Sequence, residues 1–414
     1  MVNLEAAVSH YSSAFRFTSE TAVPAIFKAA VAQALDELSA TVRPVKGHFR
    51  QSLPDKLFRK KYDGVVIDHS TDSGPFGFVA GGNFNFEGQD NIAGIIMTSK
   101  GHWYSFQIMT NKKADGNEPS VFEALINRHI KQWAKGKIIN LKGDEMNLGG
   151  ISWENVAVPE SYRTELESNM IFQIKNYHAL KSSGLYSPRG IVLAGEPGMG
   201  KTLAGKVIAR EAAQAGATVI MTNPGELTTL GWDYAFKAAG YVQPTLIFFE
   251  DAETAGSSDH PLMYAMADHL DGLSPRNDVM LLATTNELDK VDPRIKRPGR
   301  IDRVLEFNPQ KAEFGQQWRE EVVAIHLNGN REISADPQTL AAALGGYHLT
   351  GAQLGEIIKS ATIQTLNGYE PTALGNGPRV MLTEEAIREA VRTVQKTYGS
   401  KRPLGESFRP KEIS

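Results

Sequence analysis

The sequence predicts an α/β protein built on a parallel-sheet core, followed by a helical lid and preceded by an N-terminal helix and a small α+β domain. Over residues 151–310, short apolar runs alternate with helical patterns, which is typical of a parallel sheet with crossover helices. Helical patterns dominate after that segment, whereas the short apolar runs before it, bounded by turn residues, favour an antiparallel sheet. The expected parts are an N-terminal helical segment over 1–45, an α+β accessory domain over 46–150, the core over 151–310, and a helical lid with a C-terminal tail over 311–414.

Composition narrows the classes of function. The chain has 414 residues, a formal net charge of -3 and no cysteine. The lack of cysteine excludes disulfides and thiolate metal sites, and the near balance of charges counts against a nucleic-acid-binding surface. The longest candidate for a membrane span, Ala22 to Leu35, is too short and is interrupted by Lys28. The first residues lack the features of a secretory signal. We therefore expect a cytoplasmic protein without a membrane span.

The two N-terminal parts differ in their periodicity. From Leu4 to Thr41 the pattern is helical, with the apolar residues between Val23 and Leu38 on one stripe. We interpret this stripe as the face of a core-packing helix, and an oligomerisation or partner helix is the alternative. In the accessory domain, Pro119 opens a predicted helix through Trp133. Four runs before it predict antiparallel strands, at 64–68, 76–79, 92–97 and 102–109.

A glycine-rich turn lies between a predicted strand and a predicted helix. The apolar run Gly190 to Ala194 leads into the turn, and the helix continues after it. Glycines here let successive backbone N–H groups face phosphates, and the helix dipole adds favourable potential. In this P-loop, Lys201 is expected to reach the β- and γ-phosphates, and the Thr202 hydroxyl to hold Mg²⁺. The residues expected to bind the nucleotide here are Gly195, Glu196, Pro197, Gly198, Met199, Gly200, Lys201, Thr202 and Leu203.

A second predicted strand delivers two carboxylates. The apolar run Leu246 to Phe249 is followed directly by Glu250 and Asp251. Parallel strands bring their C-terminal ends to one edge of the sheet, so these carboxylates should lie beside the P-loop. One is expected to hold Mg²⁺ through water, and the other to orient or deprotonate the attacking water. An acidic loop that merely follows a strand is the alternative.

A third predicted strand and a basic run follow. The strand from Val279 to Ala283 leads to Asn286, whose amide can hydrogen-bond the γ-phosphate and the water. The run from Asp292 to Arg303 is very basic and rich in turn residues. It is either a solvated loop or a source of arginines that reach the nucleotide of a neighbouring subunit and neutralise transition-state charge.

Several motifs occur in a fixed order between Ile151 and Ala361. After the P-loop and the carboxylate strand come Leu270-Asp271-Gly272-Leu273, Ala283-Thr284-Thr285-Asn286, Asp292-Pro293, Arg297-Pro298-Gly299-Arg300 and Leu349-Thr350-Gly351-Ala352. As an ordered set they resemble the central AAA clade of the AAA+ ATPases, over about half of the chain. The resemblance implies an AAA core that binds ATP and Mg²⁺ in a homo-oligomeric, usually hexameric, ring and remodels proteins.

The resemblance also implies catalytic roles at the matching positions. Lys201 and Thr202 bind phosphate and Mg²⁺, and Asn286 senses the γ-phosphate. Arg297 and Arg300 are the implied arginine fingers, acting on a neighbouring subunit's nucleotide. Three further positions have implied supporting roles, Arg303 beside the fingers and Asp271 with Gly272 in signalling between subunits.

Other matching positions are implied to surround the base and ribose. Val156 and Ala157 lie in a segment similar to the one whose backbone clasps adenine. His326 matches a histidine that touches ribose or adenine. Gly351 and Ala352 match a glycine-alanine pair that packs near adenine.

Two features depart from the usual pattern of the clade. The carboxylate order Glu250-Asp251 is reversed, which resembles the subgroup containing the mitochondrial translocase of the folded Rieske iron–sulfur protein. Glu250 is expected on the Mg²⁺ side, but which carboxylate polarises the water stays open. The substrate-threading loop is also atypical and looks shortened, with Leu230-Gly231 as its best remnant. Trp232 either supplies the gripping aromatic or packs on the following helix.

Three classes of function remain. The leading hypothesis is a ring-forming ATPase that hydrolyses ATP to ADP and phosphate to remodel or translocate an unidentified protein recognised by the accessory domain. An ATP-dependent nucleic-acid motor or loader shares the core fold, but the balanced charge and the lack of a basic-aromatic patch in residues 46–148 argue against a nucleic-acid partner. An ATP-gated scaffold with weak hydrolysis is the third, and the presence of Lys201, Thr202 and Asn286 argues against it.

Overall fold

The computed structural model describes two large sheets and the helices around one of them. The described residues are 13–19, 61–62, 65–66, 78–86, 89–100, 103–110, 128–186, 190–252, 279–287, 301–327, 333–367 and 380–398. Among them are two six-stranded sheets and one pair of short strands.

The first sheet is antiparallel and lies in the N-terminal part of the chain. Its strands are β1 (Ser13–Ser19), β2 (Lys61–Tyr62), β3 (Val65–Val66), β4 (Phe78–Phe86), β5 (Gln89–Lys100) and β6 (Trp103–Thr110). They are ordered β1-β6-β5-β4-β3-β2. The antiparallel arrangement agrees with the alternating runs between turn residues, and each predicted run overlaps a strand.

The strand β1 corrects the expected N-terminal helix. Residues 13–19 pair with β6 from Ser13 opposite Thr110 to Ser19 opposite Tyr104, so the helical prediction is wrong there. Phe15 and Phe17 alternate with Arg16 and Thr18, which suits a strand, but this run is too short to outweigh the longer helical pattern that follows it. The apolar stripe between 23 and 38 lies outside the described residues, as do residues 119–127 of the predicted helix. Residues 128–134 are helical and form α1.

The second sheet is the parallel core that the sequence predicts. Its strands are β7 (Ile138–Asn140), β8 (Gly190–Gly195), β9 (Thr218–Thr222), β10 (Thr245–Phe249), β11 (Val279–Thr285) and β12 (Arg303–Phe307). Their order is β12-β8-β11-β10-β9-β7, and every pairing is parallel. All residues of β9, β10 and β11 are buried, which explains their continuous apolar runs. The sheet thus begins with β7, ahead of the expected boundary at residue 150.

Helices cover the sheet between its strands. They are α2 (Glu160–Leu166), a π-helical turn (Glu167–Ile171), α3 (Phe172–Lys175), α4 (Tyr177–Ser182), α5 (Lys201–Gln214), α6 (Pro224–Leu230) and α7 (Trp232–Tyr241). The helix α5 packs very close to β10 at Gly205. A Cβ at this position would stand only 2.4 Å from the Phe248 ring, so only glycine fits there without a shift. This close packing fixes the start of α5, and with it the P-loop, against the strand that carries the carboxylates.

The C-terminal part is a helical lid, as predicted. It consists of α8 (Gln316–Leu327), α9 (Pro337–Ala343), α10 (Gly351–Leu366) and α11 (Glu384–Tyr398), with the short strands β13 (Ile333–Ser334) and β14 (Val380–Met381) paired in parallel. Thr350 caps α10 in a capping box with Gln353, which fixes where this helix begins. No helix in the described part of the chain is long and apolar enough to span a bilayer.

Candidate active site

A cleft of about 410 Å³ lies where the C-terminal ends of the core strands meet the lid. This is the edge at which parallel α/β sheets bind ligands, and the cleft lies next to the end of β8, which sits between β12 and β11. Many of the predicted site residues line the cleft, namely Val156, Ala157, Pro197, Gly198, Met199, Gly200, Lys201, Thr202, Leu203, Asp251, Asn286, His326, Gly351 and Ala352. Gly195, Glu196 and Glu250 lie next to the cleft rather than in its lining. Arg297, Arg300, Asp271 and Gly272 lie outside the described residues.

The P-loop follows β8 and turns sharply into α5. Gly195 has φ +144°, and a Cβ there would stand 2.0 Å from the carbonyl oxygen of Phe307. Gly198 and Gly200 have φ +83° and +88°, in the left-handed region that favours glycine. Glycine is therefore required by backbone geometry at three points, and the turn delivers the chain to the N-terminus of a 14-residue helix. Such a turn and helix start form an anion-binding concavity.

Lys201 is held in the P-loop by three acceptors. Its side chain is buried, with 5% relative exposure. The Nζ donates to the carbonyl oxygens of Gly195 and Glu196 at 2.7 and 2.8 Å, and to Oδ1 of Asn286 at 2.9 Å. Lys201 thereby joins the end of β8 to the residue after β11. A phosphate oxygen is a suitable replacement for these neutral acceptors, since an ionised acceptor forms the stronger hydrogen bond.

The two carboxylates after β10 occupy different places. The backbone N–H of Glu250 continues the sheet by donating to Thr222 O at 3.1 Å, and its side chain turns to Lys206 on α5. Asp251 instead lines the cleft, and its backbone N–H donates to Oγ1 of Thr284 at 3.2 Å. Its φ of +54° is in the left-handed region, which aspartate tolerates better than most residues. The chain thus turns between the two carboxylates, and Asp251 is the one that shares the cleft with Lys201.

Thr202 and Glu250 are the residues expected to hold Mg²⁺. In the described ranges there is no group of three or more His, Asp or Glu side chains that could hold a metal ion. Mg²⁺ usually keeps several waters and binds through one or two protein groups plus substrate phosphates, so a sparse set is sufficient. Thr202 lines the cleft, and Oε1 of Glu250 is buried without a hydrogen bond. A hydroxyl and an unsatisfied carboxylate oxygen fit Mg²⁺ bound together with a nucleotide.

The opposite end of the cleft is apolar and suits a base. Val156 is buried there, and the backbone oxygen of Ala157 accepts a hydrogen bond from Nε1 of Trp318 at 3.2 Å. His326 contacts Val322 O through Nδ1 at 2.8 Å. Because a carbonyl oxygen can only accept, Nδ1 carries the proton, and Nε2 of the neutral ring is an acceptor.

The lid touches the P-loop directly. The backbone N–H of Ala352, at the start of α10, donates to Gly198 O at 2.9 Å. A Cβ on Gly198 would stand 2.7 Å from the Cβ of Ala352, and one on Gly351 would stand 3.1 Å from Gly198 O. Small residues on both sides therefore permit this contact. This contact joins the P-loop to the first turn of α10.

Replacing Gly355 with alanine is expected to displace His326. A Cβ at Gly355 would stand 2.2 Å from Nε2 of His326, whose ring is fixed by its bond to Val322 O. We expect the variant to lose about 1–3 kcal/mol of stability through overpacking. Nucleotide affinity should fall by about tenfold as the ring leaves the cleft. Thermal unfolding and titration with fluorescent ATP measure these effects. Gly346→Ala is the matched control, because nothing lies within 4 Å of a Cβ there, and equal affinities of the two variants would contradict the prediction.

In the substrate-threading loop, Trp232 packs in the core and does not reach out as a gripping aromatic. Trp232 is 1% exposed, with its ring 5.1 Å from that of Phe249 and 5.6 Å from that of Phe236. The interpretation of Trp232 as a gripping aromatic is therefore wrong. Asn223 caps α6 directly after β9, with Pro224 in the first turn, so the chain enters a helix where a loop was expected.

Sequence reasoning missed several residues of the site, among them Trp318, Lys206 and Thr284. Trp318 could have been found, because it lies eight residues before His326 on α8 and so shares its helix face. Lys206 lies four residues after Thr202 on α5 and could have been found by the same spacing. Thr284 belongs to a motif that was identified, but its bond to the Asp251 backbone depends on contact between two strands.

Comparison with known proteins agrees with this geometry. Residues 191–309 match the family model described as "ATPase family associated with various cellular activities (AAA)". The chain is 29% identical over 244 residues to Protein CdcH of Halobacterium salinarum, covering 56% of this chain and 32% of that protein. It is 30% identical over 248 residues to mouse nuclear valosin-containing protein-like, covering 55% and 28%. It is 28% identical over 275 residues to the proteasome-activating nucleotidase of Aeropyrum pernix, covering 62% and 63%. The chain thus matches about a third of the first two relatives and less than two thirds of the third.

Proposed function

We propose that this chain forms a ring, hexameric by our sequence expectation, and remodels or translocates a protein substrate. The chain contains an AAA ATPase domain, and its relatives include Protein CdcH and a proteasome-activating nucleotidase. ATP hydrolysis is the activity of such a domain. The observation that carries the proposal is the cleft itself, in which Lys201, Asp251 and Asn286 lie together under the lid. The cytoplasm is the proposed location and rests on the sequence expectation alone.

The chemistry divides among the residues of the cleft. Lys201 would bind the β- and γ-phosphates in place of its present acceptors. Thr202 and Glu250 would hold Mg²⁺, which neutralises phosphate charge when it is bound. Asp251 is our candidate for polarising the attacking water, because it lines the cleft and Glu250 does not. Asn286 would then orient the water and the γ-phosphate, while its bond to Lys201 links that event to the end of β11.

Hydrolysis couples to movement through the lid. The bond from Ala352 N–H to Gly198 O joins α10 to the P-loop, and Trp318 joins α8 to Ala157 at the base end. Loss of the γ-phosphate would therefore change the contacts that hold the lid helices α8 and α10. Burial of Trp232 supports remodelling that depends on such rigid-body movement rather than on an aromatic grip at this residue.

The order Glu250-Asp251 supports a place for the chain near the subgroup that contains the mitochondrial Rieske-protein translocase. That placement is a proposal about sequence relationship and does not carry the substrate with it. The antiparallel sheet of β1 to β6 is our candidate for the surface that recognises the protein substrate.

Replacing Arg300 with alanine is expected to leave ATP binding intact and to abolish turnover. Among the described residues that line the cleft, Lys201 is the only lysine or arginine. A triphosphate in its transition state needs more positive charge than Lys201 and Mg²⁺ supply, and arginine fingers typically contribute about 10³–10⁵ in rate. Mixing Arg300→Ala subunits with Lys201→Ala subunits should restore part of the ATPase rate, because intact fingers from the second variant would then face intact P-loops of the first. Steady-state phosphate release at several mixing ratios measures this.

Two outcomes would contradict the ring proposal. Absence of rescue at every mixing ratio would mean that Arg300 does not act in trans. A chain that remains monomeric with Mg-ATP in sedimentation would mean that no ring forms. Stimulation by DNA rather than by protein would favour the nucleic-acid motor instead.

The substrate can be sought by trapping. The Asp251→Asn variant with ATP should hold its protein partner, since it is expected to bind nucleotide and to lose most of its turnover. Proteins that co-purify with this variant and ATP, and that are released by ADP, are the expected substrates. Lys201→Ala, treated identically, is the control for proteins that bind without nucleotide.

A further inference from the structure

Glu250 carries a carboxylate oxygen that the proposed mechanism leaves only partly explained. Its Oε1 is buried and has no hydrogen-bond partner. Lys206 forms an ion pair with this oxygen, its Nζ lying 3.3 Å away without hydrogen-bond geometry. The side chain of Lys206 is 31% exposed and that of Glu250 is 26% exposed, so most of each is shielded from solvent. A buried carboxylate oxygen that has an ion pair but no hydrogen bond is available to bind another cation, such as Mg²⁺.

Lys206 stands close to the expected Mg²⁺ position for a geometric reason. It lies four residues after Thr202 on α5, and residues at this spacing are neighbours on one helix face. Thr202, which is expected to hold Mg²⁺, is therefore the helical neighbour of Lys206. Glu250, the other residue expected to hold Mg²⁺, is the ion-pair partner of Lys206. Any cation between Thr202 and Glu250 would meet the positive charge of Lys206 and compete with it for the same oxygen.

We propose that Lys206 is a positioning residue that holds Glu250 before the nucleotide arrives and competes with Mg²⁺ for its Oε1. The proposal rests on the proposed ATPase function. It predicts that Lys206 weakens divalent-cation affinity and so aids release of the cation with ADP. An ordinary surface ion pair, such as Lys311 with Glu306 at 2.8 Å, would have no such effect.

Replacing Lys206 with methionine is expected to tighten the binding of Mn²⁺, a spectroscopic probe for the Mg²⁺ position. We expect the affinity for Mn²⁺ in the presence of ADP to rise roughly fivefold or more, in the range typical of coupled sites. Electron paramagnetic resonance of free Mn²⁺ during titration of the full chain measures it directly. Lys206→Arg retains the charge and should bind Mn²⁺ as the wild type does. Lys311→Met should also leave the affinity unchanged.

The double substitution of Lys206→Met with Glu250→Gln tests whether the change in Mn²⁺ affinity depends on Glu250. In a Glu250→Gln background the oxygen lacks its charge, so Lys206→Met should change Mn²⁺ affinity much less than it does in the wild type. Thermal unfolding supplies a second readout, because the rise in Tm caused by Mg-ADP should be larger in Lys206→Met than in the wild type. This comparison stays informative even if the variant is less stable without nucleotide.

The outcomes separate this inference from the proposed function. Equal or weaker Mn²⁺ affinity in Lys206→Met would overturn the inference and leave the ATPase proposal standing. An equal tightening in the Glu250→Gln background would also overturn it, since the effect would not pass through Glu250. If the wild type binds no Mn²⁺ with ADP, the proposed function itself fails, and the inference falls with it.

Discussion

Replacing Lys201 with alanine is expected to abolish nucleotide binding. The ammonium is buried and bonded to two P-loop carbonyl oxygens and to Asn286, so it is in position before any phosphate arrives. Alanine removes the positive charge of the P-loop and leaves those acceptors without this donor. A hydrogen bond to a charged group is worth about 1.5–3 kcal/mol, and the loss of several corresponds to at least roughly 100-fold in affinity. Titration with fluorescent ATP measures the change.

The control for this variant is Lys311→Ala. Lys311 also forms an ion pair, with Glu306, but it does not line the cleft. Its removal should leave ATP affinity within twofold of the wild type, a negligible difference in free energy. Thermal unfolding of both variants shows whether the chain stays folded. Wild-type affinity in a folded Lys201→Ala variant would mean that the P-loop is not the phosphate site.

The core sheet could be predicted from the sequence because of how it is buried. Parallel strands covered on both faces consist of continuous apolar runs, and β10 with Leu246 to Phe249 is such a run. Short-range patterns failed where a strand depends on a distant partner. The strand β1 is stabilised by pairing with β6, about ninety residues away, and β7 has only three residues at the edge of the core. Neither pairing leaves a strong local pattern.

The site was predictable to the extent that its chemistry is carried by short motifs. The P-loop and Asn286 each follow a strand, and the parallel order of strands brings them together. The division between Glu250 and Asp251 was not predictable, because it depends on a backbone turn at Asp251 and on a hydroxyl of the neighbouring strand. The role of Trp232 was likewise left open by its pattern, since burial depends on which tertiary neighbours meet it.

Replacing Asp251 with asparagine is expected to preserve ATP binding and to remove most of the turnover. Asparagine adopts the left-handed backbone conformation at φ +54° about as readily as aspartate does, and it keeps the N–H that bonds Thr284. The substitution therefore removes the negative charge while leaving the turn unstrained. A general base contributes about 10²–10⁴ to the rate, so kcat should fall by that factor while ATP affinity changes little. Phosphate release and fluorescent-ATP titration measure the two effects.

The matched variant is Glu250→Gln, which distinguishes the two carboxylates. Glu250 does not line the cleft, and its side chain faces Lys206, so its loss should raise the Mg²⁺ concentration needed for half-maximal rate. Saturating Mg²⁺ should then restore much of the turnover in Glu250→Gln but none in Asp251→Asn, because only the second lacks the group that polarises water. Alanine is a poor probe at residue 251, since it lacks the short polar side chain that helps aspartate and asparagine adopt positive φ, and lost activity could then arise from a shifted turn. Persistent turnover in Asp251→Asn, with loss in Glu250→Gln at every Mg²⁺ concentration, would assign the water to Glu250 and reverse the roles proposed for the pair.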